Sequence, residues 1–203
     1  MYRRVGKRLF DIVVATLLLI AVAPILAVAA LAVRFALGHP VFWRQLRPGL
    51  NGQPFLMTKF RTMTSATDTR GHLLPDEQRM TTVGRLLRSF SLDELPELWN
   101  VVKGDMSLVG PRPLLMQYLD RYTPEQARRH EVRPGITGLA QVSGRNALGW
   151  DEKFALDVRY VDHLSLWLDA KLLALTVWNV LRRDGISQPG HATAQEFMGS
   201  ASR

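Results

Sequence analysis

One apolar segment limits what this chain can fold into more than any other feature. Residues 12–33 carry no charged side chain, and a helix of about 20 such residues, at ~1.5 Å each, just crosses a bilayer core of roughly 30 Å. Pro24 lies near the middle of the segment. Because proline has no N–H to donate and its ring clashes with the preceding turn, we expect a kink or break at Pro24.

Basic residues flank this segment on both sides. They are Arg3, Arg4, Lys7 and Arg8 before it, and Arg34, Arg44 and Arg47 after it. Lysine and arginine next to a membrane span mark its cytoplasmic side, so both ends carry the same mark. A re-entrant helix that bends at Pro24 and leaves by the face it entered satisfies both flanks and leaves the rest of the chain in the cytoplasm. The alternative is an ordinary spanning anchor that tolerates its proline.

The composition favours an anion-binding protein. The chain has 203 residues, a formal net charge of +8 and a pI near 10.4, which suits phospholipid headgroups, nucleotides, phosphates or nucleic acid. No nucleic-acid motif and no row of stacking aromatic residues is present, so nucleic acid is not an expected partner. Cysteine is absent and the histidines are far apart, which excludes disulfides, thiolate chemistry and a typical zinc site.

The periodicity and the turn residues predict a mainly α-helical fold with one small β-hairpin. We expect a membrane hairpin over residues 1–36, a compact cytoplasmic domain over 37–184 and an extended tail over 185–203. The predicted strands cover 41–45 and 55–61 around a turn at 47–52, and the predicted helices cover 82–89, 91–103, 114–122, 124–132 and 151–163. The glycine-rich stretch 133–150 is predicted to be a loop.

Residues 165–183 form a second, unusually apolar stretch. It contains Trp167 and Trp178, while Asp169 and Lys171 interrupt it, so it is a poor membrane-spanning helix. We expect either an amphipathic helix at the bilayer interface or a buried core helix, and the periodicity does not choose between them. Asp169 either assists a site or is an ordinary interface charge.

The sharpest local pattern is Ser91-Leu92-Asp93-Glu94-Leu95-Pro96. Ser91 followed by Glu94 three residues later fits a capping box at a helix N-terminus, which is also a purely structural explanation. A helix N-terminus also favours phosphate, and two adjacent carboxylates supply hard oxygen ligands that suit Mg²⁺. An ionised Asp93 at such a site could attack phosphorus and form an acyl phosphate.

Arginines around proline- and glycine-rich turns provide cations for such a site. They are Arg85, Arg88, Arg112, Arg133 and Arg145. Arg47, Arg112 and Arg133 each precede a proline, which holds the backbone extended, and the planar guanidinium fork matches phosphate oxygens. Each one alone is more simply a solvated turn residue, but five of them beside a membrane segment favour a phosphate site.

With these motifs in order, the chain resembles the small monotopic phosphoglycosyl transferases of the bacterial sugar transferase family. The matching segments are 7–11, 47–49, 59–63, 91–96, 100–107, 110–113 and 133–138. The resemblance implies transfer of a phosphosugar from a UDP-sugar to a polyprenyl phosphate at the cytoplasmic face of a bacterial inner membrane. It also implies entry into one leaflet through a helix broken at Pro24. Members often have a serine before this proline, but the residue here is Ala23, so the break would depend more on Pro24 alone.

The resemblance also assigns roles to individual residues. Asp93 would be the nucleophile on the phosphate that bears the sugar, with UMP leaving, and Glu94 would help position a metal or the acceptor. Mg²⁺ at Asp93 and Glu94 would neutralise the diphosphate. The substrate phosphates are expected to contact Lys59, Arg88, Arg112, Arg133 and Arg145, and the alternative for Lys59 is an ordinary surface charge.

The sequence leaves two points open, the sugar of the donor and the choice among competing functions. The tail over 185–199 is similar to that of members that transfer a diacetamido sugar, which favours an N-acetylated donor such as UDP-diacetylbacillosamine. The competing hypotheses are a membrane-anchored basic protein that binds acidic lipid or nucleic acid without catalysis, and a spanning protein with its domain outside. A basic binder would lose affinity steeply with salt but would not depend on Asp93. The sequence does not reveal the oligomeric state.

Overall fold

The computed structural model describes residues 2–144, 148–182 and 196–199. The α-helices are α1 (Lys7–Leu37), α2 (Asp76–Arg79), α3 (Thr82–Ser89), α4 (Glu97–Lys103), α5 (Pro124–Ala127), α6 (Leu139–Ser143), α7 (Trp150–His163) and α8 (Leu166–Arg182). The strands are β1 (Phe42–Pro48), β2 (Pro54–Phe60), β3 (Ser107–Val109) and β4 (Gly135–Thr137). A π-helical turn covers Tyr2–Gly6, and 3-10 turns cover Leu50–Gly52, Leu92–Glu94, Met116–Arg121 and Arg128–Glu131. The predicted mainly helical fold is confirmed.

The predicted β-hairpin is also confirmed. β1 and β2 pair antiparallel along their whole length. Phe55 and Met57 of β2 are buried, whereas Leu46 and Leu56, which lie opposite each other in the pairing, are exposed. Because side chains alternate between the two faces of a strand, the hairpin packs one face on the domain and leaves an apolar pair on the other.

The structure departs from the prediction between residues 107 and 150. The helices expected at 114–122 and 124–132 are replaced by two 3-10 turns and the short α5, and the expected loop contains β4 and α6. β3 and β4 form a parallel pair, but strands of three residues are too short to show a period in sequence. A Cβ on Gly135 would lie 2.0 Å from the amide nitrogen of Gly110, so this glycine permits close backbone approach rather than loop mobility.

The apolar segment forms one helix, α1, of 31 residues with Pro24 inside it. The helix continues through Pro24 rather than dividing there, because the loss of one backbone hydrogen bond is tolerated within a long apolar helix. Among the described helices, α1 is the one long and apolar enough to cross a membrane. Its inner face buries Ala15, Ala29 and Val33. Its outer face exposes Leu9, Val13, Leu17, Ile20, Val28 and Leu31.

Both ends of α1 are attached to the same domain. Near its start, the Arg8 guanidinium donates to Val101 O at 2.6 Å. At its other end, Arg61 donates to Leu37 O at 3.3 Å. Between these ends α1 packs against α4 and α3. Because contacts with the domain occur near both ends of α1 and between them, the domain lies alongside α1 instead of beyond one end of it.

A buried charged cluster, here called the Lys7 cluster, joins α1 to α8 and β3. Lys7 Nζ lies 3.0 Å from Asp11 Oδ1 and 2.9 Å from Asp169 Oδ2. The two carboxylates also accept hydrogen bonds of 2.6–2.8 Å from the hydroxyls of Tyr2, Tyr160 and Ser107. Asp169 is therefore a structural residue, and it makes no contact with Asp93 or Glu94 in the described part of the chain.

The predicted apolar helix at 165–183 is α8, and it has two different faces. Asp169 and Leu172 are fully buried, whereas Trp167, Val177 and Trp178 are exposed. The helix therefore combines both alternatives, a face packed on the core and an exposed apolar face that suits a bilayer interface.

The described part of the tail is attached to the domain. Phe197 is buried against the rings of Tyr118, Tyr122 and Phe154. Arg121 donates to Glu196 at 2.8 Å. The rest of the tail, predicted to be extended, lies outside the described residues.

Candidate active site

The turn that carries Asp93 differs from the predicted capping box. Ser91 has a left-handed backbone, with φ 55°, and its side chain makes no cap. Leu92–Glu94 is a 3-10 turn, and α4 begins only at Glu97. The capping prediction is therefore wrong, because the Glu94 carboxylate is bound by two side chains from other elements instead of by the backbone at Ser91.

Apolar contacts hold this turn beside the long helix. Leu92 packs against the buried cluster that contains Ala29 and Val33 of α1. Leu95 packs against the main core. The two leucines flank Asp93 and Glu94 in the chain, so the position of the carboxylate pair is set relative to α1.

Asn100 fixes β2 to α4. Its side chain accepts a hydrogen bond from Thr58 N at 3.1 Å and donates one to Leu56 O at 2.8 Å. The side-chain amide thus pairs with the backbone of β2 in the way that the backbone of a neighbouring strand does. Lys59 follows Thr58 on β2. This double contact brings the ammonium group of Lys59 to the start of α4, beside Glu94.

Two cations converge on one carboxylate oxygen of Glu94. Lys59 Nζ and one terminal nitrogen of Arg112 each lie 2.6 Å from Glu94 Oε1. Burial alone would raise the pKa of Glu94, but the charges of Arg112 and Lys59 hold it well below its usual range. Glu94 is therefore ionised at neutral pH. We call Lys59, Asp93, Glu94, Glu97 and Arg112 the Glu94 cluster.

Asp93 differs from its neighbour in the cluster. It is buried, and within the described residues its carboxylate accepts no hydrogen bond and forms no ion pair. Burial and the charge of Glu94 raise its pKa, against the opposing charges of Lys59, Arg88 and Arg112. Arg88, on α3, likewise forms no ion pair with the part of the chain that is described. The site thus contains a free carboxylate close to a free guanidinium.

Glu97 is a site residue that the sequence prediction missed. Lys59 Nζ lies 3.1 Å from Glu97 Oε1, an ion pair without a hydrogen bond. Burial raises the pKa of Glu97 to about 7, although Lys59 opposes the shift. The sequence did contain an indication that Glu97 belongs to the site. Glu97 lies three residues after Glu94, and residues three apart share one face of a helical turn.

Arg112 is held in place by a buried ion pair behind it. Arg129 donates to Asp157 Oδ2 at 2.7 Å and to the carbonyl oxygen of Arg112 at 2.7 Å. Asp157 belongs to α7, so this helix supports the backbone from which the Arg112 side chain reaches Glu94.

The remaining predicted cations are placed differently. Arg133 Nε donates to Gly104 O at 2.9 Å, at the C-terminal end of α4, whereas Glu94 precedes the N-terminal end. The structure therefore does not bring Arg133 into the Glu94 cluster, and the negative end of the helix dipole explains its position. Arg85 is exposed and donates to Thr82 at 3.2 Å. Arg145 lies outside the described residues.

The carboxylates fit Mg²⁺ only together with a substrate. Among the described residues, no group of three or more histidine, cysteine or acidic side chains could hold a metal ion. The Asp93 carboxylate and the second oxygen of Glu94 carry no protein partner there, and both are the hard donors that Mg²⁺ prefers. Since Mg²⁺ usually takes its other ligands from water and substrate phosphates, these residues suit a metal that arrives with a diphosphate.

Comparison with known proteins identifies the family. The family described as bacterial sugar transferase matches residues 2–183. This chain belongs to that family. The chain is 58% identical over 194 residues to the uncharacterized sugar transferase EpsL of Bacillus subtilis, with 96% of each chain covered. The predicted family and enzyme class, a sugar-phosphate transferase, are confirmed.

Two further relatives have named substrates. The UDP-glucose:undecaprenyl-phosphate glucose-1-phosphate transferase of Caulobacter vibrioides is 43% identical, over 88% of this chain and 70% of that protein. The undecaprenyl-phosphate galactose phosphotransferase of Salmonella typhimurium is 40% identical, over 88% of this chain and 41% of that protein. These names indicate a shared acceptor class and different sugars among relatives.

Proposed function

We propose that this bacterial sugar transferase moves a phosphosugar from a UDP-sugar to undecaprenyl phosphate or a similar polyprenyl phosphate, and releases UMP. The names of the two relatives support the acceptor class. The observation that carries the mechanism is the contrast between two adjacent carboxylates. Glu94 is bound by Lys59 and Arg112, whereas the buried Asp93 has no partner among the described residues.

In the first step, an Asp93 carboxylate oxygen attacks the phosphorus that bears the sugar. A P–O bond forms to Asp93, the bridge between the two phosphates breaks, and its electron pair leaves with UMP. The raised pKa of Asp93 makes its ionised oxygen more basic and hence a stronger nucleophile. Arg88, which has no ion pair in the described part, contributes a guanidinium fork for the diphosphate.

In the second step, an oxygen of the polyprenyl phosphate attacks the same phosphorus and the bond to Asp93 breaks. The product is a polyprenyl diphosphate sugar, and the carboxylate of Asp93 is regenerated. Lys59 and Arg112 keep Glu94 ionised and fixed beside this exchange. Mg²⁺ held by Asp93 and Glu94 would, when bound, neutralise diphosphate charge.

The attachment of α1 supports a monotopic position, and the basic residues on both flanks of α1 favour the cytoplasmic face of the inner membrane. Arg8 at one end and Leu37 at the other contact one domain, and one domain cannot lie on both sides of a bilayer. A position in which α1 enters one leaflet without crossing it therefore suits the contacts better than a full crossing, and we propose that α1 bends at Pro24 without dividing there. The exposed apolar faces of α1 and α8 would then meet lipid.

For the donor we propose an N-acetylated sugar such as UDP-diacetylbacillosamine, because of the resemblance in the tail. UDP-glucose and UDP-galactose are the competing donors, since those sugars are in the names of relatives.

The reaction is tested by measuring UMP release from the purified protein in detergent, with Mg²⁺, undecaprenyl phosphate and each of these UDP-sugars. We expect release with the wild type and none with Asp93→Asn, while an exposed control, Asp120→Asn, keeps full activity. Incubation with donor alone should give a phosphosugar adduct on Asp93 by mass spectrometry. Full activity of Asp93→Asn would remove Asp93 as nucleophile, and salt-sensitive lipid binding without UMP release would favour the non-catalytic basic protein.

The topology is tested separately, because the chain contains no cysteine and single cysteines can be introduced. Arg3→Cys and Thr69→Cys mark the two sides of α1 in the sequence. We expect an impermeant thiol reagent to label both from the cytoplasmic face only. Labelling of the two positions from opposite faces would support the spanning alternative.

A further inference from the structure

One cation beside the Glu94 cluster has no role in the reaction described above. Arg47, at the end of β1, is partly buried, and among the described residues it forms no ion pair. Its one hydrogen bond is long, to Pro113 O at 3.4 Å, and its Nε is buried without a partner. Buried charged groups are usually paired, so Arg47 is under-satisfied in the protein alone.

Arg47 is also held next to another cation. Its acceptor Pro113 directly follows Arg112, and the charge of Arg112 acts on Arg47. Burial, and then Arg112, lower the pKa of Arg47 to about 10, so its guanidinium stays charged at neutral pH. The charge of Glu97 opposes this lowering, but within the described residues it forms no ion pair with Arg47, and two like charges in a partly desolvated place are unfavourable. An anion bound between them would relieve both the repulsion and the missing hydrogen bonds.

The face of β1 that carries Arg47 approaches the site at its two ends. Trp43, Gln45 and Arg47 alternate onto the same side of the strand. Trp43 lies directly opposite Lys59 in the pairing of β1 with β2. At the other end, Arg47 reaches the backbone beside Arg112. The strand therefore connects the two cations that bind Glu94.

The backbone around Arg47 is firmly held. Pro48 and Gly49 are buried, and Gly49 N donates to Gln53 O at 2.7 Å, which closes the turn between the two strands. A guanidinium on a fixed backbone loses little freedom when it binds phosphate oxygens.

We propose that Arg47 is a substrate-binding residue that, together with Arg112, holds one phosphoryl group of a substrate. This inference rests on the proposed function. The phosphoryl group belongs either to the diphosphate of the donor or to the polyprenyl phosphate, and in both cases the shared chemistry is a phosphate oxygen bound by a guanidinium fork.

The kinetic test compares Arg47→Gln with Arg44→Gln in the full-length protein. Arg44 is exposed and lies on the same strand, but on the opposite face. We expect Arg47→Gln to raise the KM of one substrate by about 10- to 100-fold, the effect of losing a hydrogen bond to a charged group. Arg44→Gln should leave both KM values unchanged, and Arg47→Lys should fall in between. A rise for the UDP-sugar assigns the donor diphosphate, and a rise for undecaprenyl phosphate assigns the acceptor.

A binding measurement keeps this inference separable from the proposed reaction. The melting temperature of each protein is measured at increasing concentrations of UDP and, separately, of a short-chain polyprenyl phosphate. Neither ligand alone allows turnover. We expect one ligand to stabilise the wild type and Arg44→Gln, but not Arg47→Gln. If the wild type released no UMP with any donor, the proposed transfer reaction would be wrong. Stabilisation of the wild type and Arg44→Gln, but not of Arg47→Gln, would still support the phosphate site. If Arg47→Gln matched Arg44→Gln in both KM values and in both titrations, Arg47 would be merely structural, even if its melting temperature were lower.

Discussion

Two charged clusters in this protein share one plan, a lysine between two carboxylates. In the Lys7 cluster, Lys7 lies within 3.0 Å of Asp11 and Asp169. In the Glu94 cluster, Lys59 lies 2.6 Å from Glu94 and 3.1 Å from Glu97. The same arrangement of charge therefore occurs at the attachment of α1 and at the candidate active site.

The clusters differ in how completely their polar groups are satisfied. Around Lys7, three hydroxyls and the backbone N–H of Leu108 bind the carboxylates. Around Lys59, the adjacent Asp93 has no partner in the described structure, and Arg47 and Arg88 have no ion pair there. A satisfied buried network stabilises a fold, whereas an incomplete one costs stability and offers groups to a ligand. The first cluster is therefore structural, and the second has the unsatisfied groups that the proposed active site needs.

The largest expected effect comes from breaking the satisfied cluster. Asp169→Ala leaves Lys7 with one carboxylate and removes the acceptor of two tyrosine hydroxyls. We expect a loss of about 3–5 kcal/mol in the free energy of unfolding, or roughly 10 °C in melting temperature. Thermal unfolding measures it, with the exposed Asp120→Ala as control. An unchanged melting temperature would show that the cluster does not stabilise the fold.

In the Glu94 cluster, loss of a carboxylate is expected to raise the free energy of unfolding instead of lowering it. Because the pKa of Asp93 is raised in the folded protein, stability falls as the pH rises from the unfolded pKa towards the folded one, and the ionised side chain destabilises the fold at neutral pH. Asp93→Asn should therefore gain about 1 kcal/mol, while UMP release is lost. A lower melting temperature for this variant at pH 7 would contradict the contrast between the two clusters.

A smaller effect is expected in the pH dependence of donor binding. Glu97, with a pKa of about 7, is ionised above that pH and adds a negative charge beside Lys59. The KM for the UDP-sugar should rise severalfold between pH 6 and 8, because the donor diphosphate stays ionised over this range and meets more repulsion. Glu97→Gln should flatten the profile, measured as initial rates at fixed undecaprenyl phosphate. An equally steep profile in Glu97→Gln would show that another group titrates.

The smallest effect is expected at the strained turn. Ser91 has a left-handed backbone, which glycine adopts without strain. Ser91→Gly should stabilise the fold by less than about 1 kcal/mol, since the more flexible unfolded chain offsets part of the gain. Ser89→Gly, in the right-handed α3, should destabilise it by a similar amount. Chemical denaturation of the two variants measures the difference, and equal signs would contradict the strain at Ser91.

The elements that were predicted correctly have a period visible in sequence. The alternation in β1 and β2 and the apolar faces of α3, α7 and α8 extend over enough residues for a pattern to form. The three-residue strands β3 and β4 and the 3-10 turns are too short to form such a pattern. Pro24 predicted a kink or a break, but α1 does not divide there, because packing of the helix along a domain offsets one missing hydrogen bond.

The sequence by itself determined the family through several separate motifs. It also determined the apolar helix, the strands of the hairpin and the pair Asp93–Glu94, because each of these is a contiguous segment. Only the tertiary structure decided which of the two carboxylates is free. Lys59 lies 35 residues before Glu94 and Arg112 lies 18 residues after it, and both bind the second carboxylate and not the first. The same holds for Glu97, Arg47 and Asp169, because the role of a buried charge depends on which distant groups surround it.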